Sequence, residues 1–121
     1  MKYLIVFFGA GIGGGLRYFI SSLVFKIYPV IFPFGTLAVN FLGSFLLGFF
    51  IYGLGDRELI GSNMRLLLGV GLCGGFTTFS SFSLETMNLL RDSQFLFAGL
   101  NILANVFLSL LGVYLAYIMT R

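Results

Sequence analysis

The residues with most chemistry to offer lie together in one run, Gly74-Gly75-Phe76-Thr77-Thr78-Phe79-Ser80-Ser81-Phe82-Ser83. The hydroxyls of Thr77, Thr78, Ser80 and Ser81 follow paired glycines, and none of these types is a strong helix former. Inside an apolar segment such a run reads as an interrupted helix. Backbone groups freed there are tolerated only where protein, water or ions satisfy them. Freed carbonyls can coordinate a cation. Histidine is absent and the one cysteine is Cys73, so a hard cation held by oxygens fits better than a soft metal. Phe79 and Phe82 are three apart and share a face if the helix resumes. The chain has 16 phenylalanines, so lipid contact or packing is the plain reading of both. The chemical alternative is that the positive edge of an aromatic ring faces an anion, weakly enough for the ion to leave.

Polar and small residues recur at helical spacing around this run. Thr36, Asn40, Ser44 and Gly48 fall on one face of a helix, as do Asn101, Asn105 and Ser109, with Gly112 close by. Gly9 with Gly13, and Gly11 with Gly15, form small-xxx-small pairs that suit close helix packing. Asparagines 101 and 105 read as interface residues. Asn40 stands between two readings, a packing hydrogen bond and a pathway lining, because a polar group deep in a span must be satisfied. Arg17 either snorkels to the headgroups or lies in an aqueous vestibule and attracts anions. Glu85 is read as hydrogen-bonded to nearby hydroxyls or paired with an arginine.

These residues must be held by membrane helices. Hydrophobic residues make up 59% of the 121 and charged residues only 9%, against about 25% charged in a soluble domain. Mean hydropathy is +1.05. A spanning helix needs about 20 mostly apolar residues, and the sequence supplies such segments at roughly 3–25, 33–53, 64–90 and 94–119. They make one transmembrane domain over residues 1–121. Pro33 suits the first turn of the second helix. Lys2 before an apolar run resembles a signal peptide, but Arg17 interrupts the run and more spans follow, so the segment reads as retained. Four spans put both termini on one side. Lys2, Arg57, Arg65 and Arg121 lie there, against Lys26, Arg91 and, if it snorkels, Arg17 opposite, a weak bias toward cytoplasmic termini. The net charge of +3 is scattered over seven basic residues, with no stripe that would bind nucleic acid.

Three motifs together resemble the Fluc, or CrcB, family of fluoride channels over essentially the whole chain. They are Gly9-Ala10-Gly11-Ile12-Gly13-Gly14-Gly15-Leu16-Arg17-Tyr18, then Phe34-Gly35-Thr36-Leu37-Ala38-Val39-Asn40-Phe41-Leu42-Gly43-Ser44-Phe45, then Gly71-Leu72-Cys73-Gly74-Gly75-Phe76-Thr77-Thr78-Phe79-Ser80-Ser81-Phe82-Ser83-Leu84-Glu85. The resemblance implies an all-α membrane protein whose third of four transmembrane helices is broken mid-span. It implies an antiparallel, dual-topology homodimer with two pores, in the inner (plasma) membrane. It implies passive fluoride export that prevents toxic accumulation. It also implies a structural sodium ion at the dimer centre, held by the main-chain carbonyls of Gly74 and Thr77. The family's pore phenylalanines match Phe79 and Phe82, its second-helix asparagine Asn40, and its pore hydroxyl Ser80. Thr36 and Glu85 fall at motif positions, and Ser109 joins the pathway by spacing alone.

Two other readings compete. A small multidrug-type transporter is also a short four-helix dual-topology dimer, but resembles this chain poorly because the first segment has no acidic residue. An accessory subunit of a membrane complex explains the glycine stripes and not the hydroxyl-rich interruption. An enzyme is disfavoured: Cys73 has no evident base and Glu85 no second nearby carboxylate.

Overall fold

The computed structural model describes every residue from Met1 to Arg121. It is all-helical, without strands. Four spans are long and apolar enough to cross a membrane: Lys2–Ile27, Phe34–Gly55, Ser62–Arg91 and Phe95–Thr120. The first is α1, the second α2 and the last α5. The third contains two helical pieces, α3 over residues 62–76 and α4 over Ser80–Arg91. A span of 26 residues, the length of α1 and α5, rises ~39 Å at 1.5 Å per residue, more than the ~30 Å hydrocarbon core.

Local sequence sets the ends. Pro33 caps the N-terminus of α2 with φ −81°, where its missing N–H costs nothing. The far end of α2 (Phe49–Gly55) and most of α3 (Leu66–Cys73) wind in wider π-type turns. Arg65 donates to the Gly55 carbonyl at the end of α2, and Arg57 to the Thr120 carbonyl at the end of α5. Cations at helix C-termini satisfy orphan carbonyls and suit the helix dipole.

The distribution of polarity is that of a protein dissolved in lipid. Asn101, Asn105, Asn40, Thr36, Thr86 and Thr120 are buried, while Phe7, Phe8, Phe19, Phe95 and Phe107 face outward. Helices in hydrocarbon gain little from burying leucine; they associate through close packing and interhelical hydrogen bonds.

Glycines bring the backbones together. A Cβ on Gly13 of α1 would lie 2.2 Å from the Leu72 carbonyl oxygen and 2.8 Å from the Phe76 nitrogen, both backbone atoms of α3. Nothing lies within 4 Å of a Cβ added at Gly15. Gly13→Ala is therefore expected to destabilise the folded chain by roughly 1–3 kcal/mol through overpacking. Gly15→Ala should be neutral or gain up to about 1 kcal/mol of helix propensity. Denaturant unfolding in detergent micelles checks the pair, and equal midpoints would contradict this packing.

Candidate functional site

Helical conformation stops at Phe76 and resumes at Ser80. Thr77 is extended, with φ −82° and ψ 161°. Two local features shape this stretch. Thr77 folds its hydroxyl back onto the Cys73 carbonyl at 3.0 Å, so the last turn of α3 closes on itself. Gly43 of α2 leaves the room that Thr77 fills: a Cβ there would stand 2.2 Å from the Thr77 methyl.

Asn40 then takes over the backbone of Thr78. The Thr78 N–H donates to Asn40 Oδ1 at 2.8 Å, and Asn40 Nδ2 donates to the Thr78 carbonyl at 3.0 Å. Its second Nδ2 proton goes to Asn105 Oδ1 at 2.9 Å. Asn40 thus spends both donors on the protein. It cannot donate to an ion without giving up one of these bonds. Asn40 is thus hydrogen-bonded to protein while it also lines a cavity.

The diverted donors leave two carbonyls without their helical partners. In a continuous helix Thr78 N–H would serve Gly74 and Ser81 N–H would serve Thr77. Here the first serves Asn40 and the second serves the Thr78 hydroxyl at 3.1 Å. Gly74 is exposed and Thr77 half-buried. Both border a cavity of about 270 Å³ lined also by Asn40, Ser44, Phe79 and Ser109.

A second cavity of about 400 Å³ lies toward the other end of α4, with Arg17, Ser21, Thr36, Ser81 and Glu85 among its lining. Arg17 donates through Nε to the Gly75 carbonyl at 3.2 Å, tying α1 to the end of α3. The Thr36 hydroxyl lies beside the Glu85 carboxyl, while Glu85 Oε1 is buried without a hydrogen-bond partner. No arginine pairs with Glu85; the one ion pair in the chain is Arg91 with Asp92, an exposed turn contact. Of the two partners expected for Glu85, the arginine is absent, and the neighbouring Thr36 hydroxyl leaves Oε1 unsatisfied.

The two phenylalanines have contrasting surroundings. Phe82 is 9% exposed and Phe79 is 78% exposed. Their ring centroids are 5.3 Å apart at an interplanar angle of 58°. Ser80 is exposed, and its hydroxyl sits 3.2 Å from that of Thr78. The structure therefore brings Asn40, Phe79, Ser109, Gly74 and Thr77 around one cavity and Thr36 with Arg17 around the other. Thr36 of the larger cavity and Asn40 of the smaller are one turn apart on α2. Thr86, which sequence reasoning passed over, is buried between α4 and α5. Its signal was available: a hydroxyl inside a span, four residues after Phe82.

The model of the family described as CrcB-like protein, Camphor Resistance (CrcB), matches residues 4–117. The chain belongs to the CrcB family. Among its CrcB relatives is a protein of Methylocella silvestris, 44% identical over 120 residues, covering 98% of this chain and 92% of the relative. Another, from Shewanella sp. (strain ANA-3), is 47% identical over 112 residues, with 93% and 90% covered. A third, from Paramagnetospirillum magneticum, is 42% identical over 120 residues, with 98% and 94% covered. Each of the three is named fluoride-specific ion channel FluC. This CrcB chain is a multi-pass membrane protein.

Proposed function

We propose that this chain is the subunit of a fluoride channel that lets fluoride leave the cell passively through the cytoplasmic (inner) membrane. The observation that carries the reading is full-length similarity, at 42–47% identity, to relatives named fluoride-specific ion channels. Passage of an ion breaks no covalent bond, so the chain is a conductor and not an enzyme. In this reading Thr36, Asn40, Ser80, Ser109, Phe79 and Phe82 border or shape the ion path, and Arg17 draws anions into the larger cavity.

The working unit in this reading is an antiparallel, dual-topology homodimer. Its support is physical. Gly74 and Ser80 are exposed in the single chain at mid-span, where lipid satisfies no polar group. A second copy laid across this face covers them. It also brings the Gly74 and Thr77 carbonyls of both copies together around the break in the third span. Oxygen donors without side-chain charge fit a hard monovalent cation, and the carbonyls that have lost their helical donors would hold sodium there. Bound sodium would supply a fixed positive charge that offsets the converging carbonyl dipoles.

One experiment tests conduction and orientation together. Bacteria lacking their own fluoride export, given this gene, should grow in fluoride that arrests the parent. Adding two or three lysines at the termini should fix one orientation and abolish that growth. Co-expression with an oppositely biased copy should restore it. No rescue by the wild-type gene would sink the channel reading. Full rescue by one biased copy alone would sink the antiparallel dimer.

A further inference from the structure

Three buried side chains beyond the site continue from Asn40 as one directional hydrogen-bond chain behind the two phenylalanines. Asn40 of α2 donates to Asn105 Oδ1 of α5. Asn105 Nδ2 donates to the Asn101 side-chain and main-chain oxygens, each at 2.9 Å. Asn101 Nδ2 donates to the Thr86 hydroxyl of α4 at 2.9 Å. Thr86 donates to the Phe82 carbonyl at 2.8 Å. The chain starts at the residue that clamps Thr78, next to Phe79, and ends on the main chain of Phe82. Asn101 has no exposed surface, and Asn40, Asn105 and Thr86 are each below 10%.

We infer that Asn105, Asn101 and Thr86 are positioning residues for ion passage, acting through Asn40 and Phe82 rather than touching the ion. The inference rests on the fluoride reading above. Its physical basis is satisfaction. Each amide in the chain has a fixed role as donor toward the next member, so none can rotate without leaving a buried polar group unpaired. Asn105 takes the one Asn40 proton that Thr78 does not use. Asn101 in turn fixes which way the Asn105 amide points. Thr86 closes the series on the helix that carries Phe82. The clamp on Thr78 and the helix of Phe82 are thereby locked in register, and with them the spacing of the two rings.

The test compares Asn105→Leu, Asn101→Leu and Thr86→Val, each close to its parent in size, with the double variant Asn105→Leu/Asn101→Leu. Fluoride efflux is measured from liposomes, and elution and melting are measured in detergent. Each single variant that elutes and melts like the wild type should lose flux roughly tenfold, the rate equivalent of one unsatisfied buried polar group. The double variant should lose no more than Asn105→Leu alone, because both break the same chain. A merely structural role would lower melting and leave the flux per folded channel unchanged. Wild-type flux in the folded variants, or losses that multiply in the double, overturns the inference. If the leucine variants do not fold, Thr86→Val decides it alone: full flux overturns the chain, and reduced flux at unchanged melting supports it. A wild type that releases no fluoride would instead remove the fluoride reading itself.

Discussion

Asn40→Asp should abolish fluoride flux. The substitution exchanges the Nδ2 group for an oxygen, so two donations are lost at once, to Thr78 O and to Asn105 Oδ1. Acceptor then faces acceptor on both sides of a buried site. The new carboxylate also borders the cavity shared with Phe79 and Ser109. A like charge at about 4 Å and an effective dielectric of about 20 opposes an anion by about 4 kcal/mol, or about a thousandfold in rate. Asn40→Leu separates the two effects. It removes the clamp without adding charge, so its loss should be smaller and should match that of a broken hydrogen-bond pair. Electrode-monitored efflux from liposomes reads both variants. An Asn40→Asp channel that conducts like the wild type would mean that fluoride does not pass this residue.

Phe82→Ile should also cut the flux sharply, and Phe79→Ile gives the cleaner reading. A small, strongly hydrated anion loses on the order of 20 kcal/mol, by an idealised Born estimate for an ion of carboxylate size, when it enters a dry medium. No lysine or arginine lies among Asn40, Ser80, Phe79 and Phe82 to replace that hydration with fixed charge. Hydroxyls and ring edges must do it, and weak coordination lets the ion go. Isoleucine keeps an apolar side chain and removes the polarised edge. Phe82 is buried, so its replacement disturbs packing as well. Phe79 is 78% exposed in the single chain, so its replacement leaves the subunit fold intact. Each change should reduce fluoride efflux about fivefold or more, the scale of one aromatic contact of roughly 1 kcal/mol. Phe79→Ile should do so without lowering the melting temperature. Unchanged flux in both variants would take the rings off the path.

The spans were legible because long apolar segments separated by short polar turns allow little else. The lipid-facing phenylalanines and the buried asparagines followed the same way, since polarity in hydrocarbon must turn inward. Gly13 was legible as a packing glycine from its spacing to Gly9, although its partner on α3 was not. The role of Asn40 was legible only as a choice. Sequence spacing places its amide in a span, but whether its protons go to protein or ion depends on Thr78 and Asn105, 38 and 65 residues away. The chain through Asn101 to Thr86 was hidden for the same reason: helical spacing shows which residues share one helix face, and not which face of another helix they meet. The π-type turns in α2 and α3 had no sequence signal beyond their glycines, which serve ordinary packing equally well.

Selective conduction is tested most directly by purified protein in liposomes loaded with equal fluoride and chloride, each followed by its own electrode after potassium ionophore clamps the voltage. Fluoride should pour out while chloride stays at the level of protein-free vesicles. Release of the two anions at comparable rates, or retention of both, would contradict a fluoride channel.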